Sequence, residues 1–312
     1  MNNLKIIYMG TPDFSVGPLE RLIKEYNVIA VVTQPDKEIG RKKEIKFSKV
    51  KEVAIKNNIK VFQPEKIKQD YNEIINLNPD IIITCAYGQI LPKELLDFPK
   101  YGCINIHASL LPKLRGGAPI HRAIIDGHNI TGITIMYMNE KMDSGDIIYQ
   151  EDIYIYDEDT VGTLFNRLSR LGSNMIIKVL PNIINGTIIR IRQDEKRATY
   201  AYNITREDEH IDFNKTSREV FNHIRGLNPW PVGYSTLDNK KVKIYESKIG
   251  NSKKDGLPGE IINIYNDSIG VKTNNGEILI TSLQFEGKKR VSTKDYLNGL
   301  QDKNNIIGKK FI

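Results

Sequence analysis

Asn105 and His107 stand two positions apart in the stretch 102–119, GCINIHASLLPKLRGGAP. The run around them reads as an apolar strand, and side chains at i and i+2 of a strand share a face. Ile104 and Ile106 would then point the other way, into packing. One strand end would present a carboxamide beside an imidazole, followed by a loop rich in Pro and Gly. Such a pair can donate hydrogen bonds to a carbonyl oxygen that is becoming negative. A buried Asn and His satisfied by backbone partners would leave the same trace.

A second element bears on the choice. Residues 131–148, TGITIMYMNEKMDSGDII, contain a β-rich run that ends at Asp143 and meets a Ser-Gly-Asp turn. Asp before such a turn is often a turn residue only. Placed at the end of a strand adjacent to Asn105 and His107, its carboxylate would favour the charged imidazole and fix its orientation. Three polar groups gathered on apolar strands point to an active site.

The elements that must position them follow from the rest of the chain. Its 312 residues are enough for two cores, and 40% apolar with 27% charged residues is ordinary globular composition. No apolar run is long enough to span a bilayer, and MNNLKIIYMG enters a strand at once, so no signal peptide, transit peptide or anchor is expected. Cys85 and Cys103 fit neither a disulfide framework nor a zinc site; Cys103 alternates onto the face of Asn105. No metal site is expected, and a reducing, cytoplasmic setting is.

Through the first two-thirds, strands and helices alternate. Strands are expected at 4–9, 28–33, 60–62, 80–85 (a central one), 102–107, 131–138 and 147–154. Helices are expected at 14–25, 64–77 and 160–180. This is the pattern of an α/β fold: a mostly parallel, Rossmann-like sheet with helices on both faces and right-handed crossovers. Ligands of such sheets bind outside the carboxyl ends of the strands, where Asn105 and His107 would lie. Gly10 and Gly17 have the wrong spacing for a dinucleotide fingerprint and Pro12 interrupts the turn; no Walker-type loop is present.

After about residue 200 short strands replace long helices, at 241–247, 259–265, 268–273 and 277–283, preceded by a helix at 216–225 and the segment LNPWP. Short strands with Gly and Asn turns suggest a small β-barrel of the OB kind. The expected division is a catalytic domain over 1–203, containing a basic loop at 34–51, and an OB-like, nucleic-acid-binding domain over 204–312.

The formal net charge is +7, with 45 Lys and Arg against 38 Asp and Glu. Two clusters concentrate it: the loop 34–51, with Lys37, Arg41, Lys42, Lys43, Lys46, Lys49 and Lys51, and the C-terminal group that includes Lys288, Lys289 and Arg290. Surface charge runs are commonly only solvated. Two of them flanking a strand-end site suggest phosphate contacts that position a large nucleic-acid substrate.

With these features in view, the chain resembles the methionyl-tRNA formyltransferase family nearly end to end. The resemblance is carried by MGTPDFS at 9–15, Gly40-Arg41, AYGQILP at 86–92, NIHASLLPKLRGGAPI at 105–120, TGITIMYM and MDSGD within 131–146, RATYAYNI at 197–204 and LNPWP at 227–231. NIHASLLP and MDSGD are shared by folate-dependent formyltransferases in general. The basic loop and the C-terminal barrel narrow the likeness to the tRNA enzymes.

The resemblance implies a catalytic trio of Asn105, His107 and Asp143, a 10-formyltetrahydrofolate donor, no metal, and initiator methionyl-tRNA as acceptor. It places the folate against Ala86, Tyr87, Gly88, Gln89, Ile90 and Leu91, against Ser109, Leu110, Leu111 and Pro112, and against Asn139, Glu140 and Met142. It assigns tRNA contacts to Arg41, Lys42, Lys43 and Lys46 and to Lys288, Lys289 and Arg290. A monomer in the bacterial cytoplasm is expected. Variation at Leu114-Arg115-Gly116-Gly117 and at Met142 touches apolar or small positions, with no expected effect on the chemistry. Formyltransferases of small amines, a purine precursor or sugar nucleotides, would use the same trio without needing the basic loop. A tRNA-binding protein that has lost catalysis would not need the trio.

Overall fold

The computed structural model describes residues 2–39 and 44–312; Arg41, Lys42 and Lys43 of the basic loop lie outside them. In chain order its main elements begin with β1 (Asn2–Gly10), α1 (Val16–Glu25), β2 (Tyr26–Val32), the short β3 (Lys37–Ile39) and β4 (Glu44–Lys46), α2 (Lys49–Lys56) and β5 (Lys60–Phe62). Then come α3 (Asn72–Ile75), β6 (Ile81–Cys85), α4 (Lys93–Asp97), β7 (Cys103–His107), α5 (Pro119–Ile125), β8 (Ile130–Tyr137), β9 (Ile147–Tyr154) and α6 (Val161–Ile184). The chain ends with α7 (Ser217–Gly226), β10 (Tyr234–Leu237), β11 (Lys240–Gly250), β12 (Ile261–Ile264), β13 (Ile269–Lys272), β14 (Glu277–Phe285), β15 (Val291–Ser292) and α8 (Thr293–Asn298).

Two compact units result. The first holds Met1–Pro119, Ile130–Tyr154 and Phe165–Tyr202; the second holds Ile120–Asn129, Ile155–Leu164 and Asn203–Ile312. The first is built on a seven-stranded sheet of order β5-β2-β1-β6-β7-β8-β9. Strands β5 to β7 in that order pair in parallel, while β8 is antiparallel to both of its neighbours. All of β6 is buried, as its continuous apolar run requires of a strand covered on both faces. Ile7, Met9 and Ile82 pack with Leu91, Leu95 and Leu96 on one face. On the face that carries Ile106 and Ile133, α6 comes so close that a Cβ on Gly172 would lie 2.9 Å from Ile106.

Three expectations change. The helix expected at 64–77 shrinks to α3, because the Gln89 carboxamide takes the backbone groups a helix would use: Oε1 accepts from the Ile67 N–H at 2.9 Å, and Nε2 donates to the carbonyls of Pro64 and Glu65, each at 3.3 Å. The helix expected to stop before Pro181 runs on to Ile184. A proline in the last turn forfeits a single hydrogen bond, and Asn185 N–H still reaches the Pro181 carbonyl at 3.0 Å. The basic loop is partly regular, with β3 and β4 pairing antiparallel and α2 starting at an N-cap on Ser48, whose hydroxyl accepts from Lys51 N–H.

The second unit is a curled antiparallel sheet of order β10-β11-β14-β13-β12, with β15 on β14. Its edges are tied by the C-terminal segment: Thr236 and Ile312 exchange both backbone hydrogen bonds, and Phe311 N–H donates to the Gly259 carbonyl at 2.9 Å. Phe213, Val242, Ile280 and Phe311 share the core of this small barrel. Helix α7 opens on a capping box between Thr216 and Glu219.

On α7, the His223 Nε2 is buried with no hydrogen-bond partner among the described residues. Burial first, and then the Lys215 ammonium, push the ring down to about 4. The unfolded ring titrates near ~6.5, so below that pH unfolding takes up a proton that the fold refuses. Stability is therefore lost as pH falls from that value toward the folded one. By urea unfolding, the wild type should lose about 2 kcal/mol more than His223→Gln between pH 7 and pH 5. Equal losses would mean that the folded ring accepts the proton.

Candidate active site

Strand β7 is the frame of the site. Ile104 and Ile106 are buried on one side, and Cys103, Asn105 and His107 alternate onto the other. Cys103 belongs to the core beneath the site. It packs with Ile82 and Leu95, its thiol donates to the Leu95 carbonyl at 3.4 Å, and burial pushes its pKa well up.

The polarity of both functional side chains is set by neighbours. Thr84 pairs in register with Asn105, and its hydroxyl donates to Asn105 Oδ1 at 2.8 Å. That leaves the amide Nδ2 as the outward group, with no partner among the described residues. His107 closes β7 and is 6% exposed. Its Nε2 lies 3.0 Å from the Leu114 carbonyl, which can only accept, so this nitrogen carries a hydrogen. Nδ1 remains to face the site.

Asp143 reaches this point by an unexpected route. It is not at a strand end: β8 stops at Tyr137, and Asp143 lies in the loop before β9. Moreover β8 runs against β7, with Thr134 opposite His107 and Tyr137 opposite Ile104. The loop therefore leaves from the far end of β7 and must fold back. It does so with the Asp143 carboxylate 3.7 Å from His107 Nδ1, too long for a direct hydrogen bond. Asp143 adopts a left-handed φ of 50°, and its Oδ2 accepts from the Gly116 N–H at 2.8 Å. A Cβ on Gly145 would lie 1.8 Å from the Tyr137 carbonyl, so the fold-back demands glycine there.

The loop after β7 is held from β8 and β9. Thr134 donates to the Ser109 carbonyl and accepts from Leu111 N–H, while Gln150 Nε2 donates to the Leu111 carbonyl at 2.9 Å. The stretch Leu114–Gly117, expected to be neutral for the chemistry, supplies through its backbone a partner for His107 and one for Asp143. Thr84, Thr134 and Gln150 escape a reading of the sequence because their partners are remote in the chain. The register of β6 against β7 is the only signal that could have singled out Thr84.

The three loops expected to meet folate present different faces. In the first, Ala86, Gly88 and Ile90 are exposed, whereas Tyr87 and Leu91 enter the core and Gln89 braces residues 64–67. In the second, Ser109 and Leu111 are buried, and Leu110 and Pro112 are partly open. Asn139, Glu140 and Met142 are exposed. Of the basic residues, Lys46, Lys288, Lys289 and Arg290 are exposed. Arg290 is already engaged, with Glu246 at 2.5 Å and over the Tyr245 ring, and Lys51 pairs with Asp36. Among the described residues no His, Cys, Asp and Glu cluster could hold a metal ion, and no helix is long and apolar enough to cross a membrane.

A free amide donor and an imidazole beside a carboxylate would suit acyl transfer to an amine. A formyl transferase family profile matches residues 4–180, and the profile of the family's C-terminal domain matches 203–301. A methionyl-tRNA formyltransferase of Staphylococcus aureus is 51% identical over 311 residues, 99% of each chain. The chain belongs to the methionyl-tRNA formyltransferase family. It is thus a formyl-transferring enzyme of protein synthesis. Solved structures share the fold at lower identity. A methionyl-tRNA formyltransferase from Clostridium thermocellum is 19% identical over 80% of this chain and 95% of its own, with a TM-score of 0.58. An N-formyltransferase from Helicobacter canadensis, solved with folinic acid and dTDP-3-aminofucose, is 22% identical over 89% and 98%, with a TM-score of 0.67.

If Thr84 sets the carboxamide of Asn105, Thr84→Val should lower formyl-transfer turnover about tenfold, the worth of one oriented hydrogen bond, and leave thermal stability nearly unchanged. Unaltered turnover would show that Asn105 keeps its orientation without the hydroxyl.

Proposed function

We propose that this enzyme transfers the formyl group of 10-formyltetrahydrofolate to the α-amine of methionine on initiator methionyl-tRNA, with Asn105, His107 and Asp143 as its catalytic residues. The observation that carries the reading is the convergence of Asn105 Nδ2, His107 Nδ1 and the Asp143 carboxylate on one side of β7. The neutral amine attacks the formyl carbon, and the carbonyl electron pair moves onto oxygen. Asn105 Nδ2 and a protonated His107 Nδ1 donate to that oxyanion. Asp143 faces the imidazole and, through a water, takes the amine proton toward the folate nitrogen. The bond from carbon to that nitrogen then breaks, giving formylmethionyl-tRNA and tetrahydrofolate.

Residues 86–91 suit the pterin edge, because their backbone N–H groups donate to no described residue. The left-handed Ala86 and Gly88 stand open beside them. The tRNA contacts on this reading are Arg41, Lys42, Lys43 and Lys46 of the basic loop and, in the second unit, Lys288, Lys289 and Arg290. The enzyme acts as a monomer in the bacterial cytoplasm.

Formyl transfer from the folate to charged initiator tRNA, run against glycinamide ribonucleotide and an amino-sugar nucleotide, tests the acceptor; preference for a small amine would overturn it. Asn105→Ala and His107→Ala should each lose ~3 kcal/mol of transition-state stabilisation, about a hundredfold in turnover. Near wild-type rates in either would sink the trio. Lys288→Ala with Lys289→Ala should raise the KM for tRNA, spare that for folate, and flatten the salt dependence of the tRNA KM by about one to two logarithmic units per decade of salt. An unchanged slope would remove these lysines from the interface.

A further inference from the structure

Residues 181–202 fall between the two stretches matched by the family profiles, yet they hold the loop that carries Asp143. Gln193 is 5% exposed, and both ends of its carboxamide are used. Nε2 donates to the Asp143 and Gly145 carbonyls, each at 2.8 Å. Oε1 accepts from Arg115 Nη2 at 2.8 Å and Nε at 3.1 Å. Arg115 is 2% exposed and also forms a forked pair with Glu195, with two contacts of 2.9 Å. The adjoining strip completes the hold: Arg115 N–H donates to the Thr199 carbonyl at 2.9 Å, and Ala201 N–H to the Arg115 carbonyl at 2.7 Å.

We propose that Gln193 is a positioning residue, which sets the Asp143 carboxylate against His107 by clamping the Asp143 and Gly145 carbonyls while Arg115 fixes its own orientation. The proposal rests on the reading of Asp143 as one of the catalytic trio. A primary amide is the group that does this work. One end must accept from a cation and the other must donate twice, and the oriented carboxamide does both. The carboxylate is then held from two sides, by Gly116 N–H on its oxygen and by Gln193 on its own peptide. Gly116 is in turn locked to the same strip, since a Cβ there would lie 2.7 Å from the Ala201 carbonyl.

The test is a double-mutant cycle on formyl transfer to charged tRNA, with kcat and both KM values measured for wild type, Gln193→Met, Asp143→Asn and the double variant. Gln193→Met should lower kcat about tenfold to a hundredfold, the scale of a reacting group displaced by an ångström, with each KM within about twofold. In the Asp143→Asn background the same change should cost less than about twofold, because the clamp no longer places a carboxylate. Equal losses in both backgrounds would mean a merely structural role, and an unaltered kcat in Gln193→Met would also overturn the proposal. Wild-type turnover by Asp143→Asn would instead remove Asp143 from the trio, and the proposal with it. Gln193→Glu keeps an acceptor toward Arg115 and loses both donors. It should be as impaired as Gln193→Met, and stands in for it should that variant fail to fold; full activity of Gln193→Glu would overturn the clamp.

Discussion

Everything at the site depends on returning one carboxylate to a place its strand cannot take it. Because β8 is antiparallel to β7, continuing past Tyr137 carries the chain away from His107. The loop has to double back, and a returning loop has no strand ladder to hold it. Ordering each of its residues costs about 1–2 kcal/mol of backbone entropy, which specific contacts must offset. The structure supplies them at Asp143 itself: a charge-assisted bond from Gly116 N–H to the carboxylate and the Gln193 bond to its carbonyl. The tight approach of Gly145 to Tyr137 bends the chain between them and β9.

The same economy governs the two donors. Asn and His side chains can each present a donor or an acceptor, and an oxyanion needs donors. Thr84 occupies the acceptor end of Asn105, and the Leu114 carbonyl occupies one nitrogen of His107. Asn105 thereby turns its donor Nδ2 outward, and His107 turns Nδ1, which donates only when the ring is protonated. Both orientations are fixed within the protein, so the proposed catalytic roles would need little reorganisation as charge develops. It also explains why the loop after β7 acts through its peptide groups. It is the Leu114 carbonyl and the Gly116 N–H, rather than side chains of this loop, that touch His107 and Asp143.

Much of the frame was legible in the sequence, and the reasons are physical. Strand β6 is buried on both faces and reads as an unbroken apolar run; β7 and β9 alternate clearly, and all three were located to within a residue. The curled second unit announced itself through short strands and Gly and Asn turns, although β10 was not anticipated. The sequence could not reveal the direction of β8, since a strand's own residues do not say which way its neighbour runs. Nor could it expose Gln89 unmaking the helix at 64–77, or Thr84, Gln150 and Gln193 as braces. In one dimension such a residue looks like any solvated polar side chain; only the remote partner distinguishes it. Arg41, Lys42 and Lys43 of the basic loop lie outside the described residues.

Arg115 ties these observations together. A guanidinium removed from water costs several kcal/mol unless its donors are met, and here they are met by Gln193 and Glu195. Glu195 is 66% exposed, so one end of the pair is solvated, and the guanidinium holds its carboxyl below the usual range. Arg115 can therefore be buried only when residues 193–195 are docked, and those residues are docked by Arg115. The backbone bonds to Thr199 and Ala201 extend the same mutual dependence along the strip. The loop after β7 and the segment after α6 must then order together. A stretch that looks like a spacer between two domains is thereby part of what gives Asp143 its place.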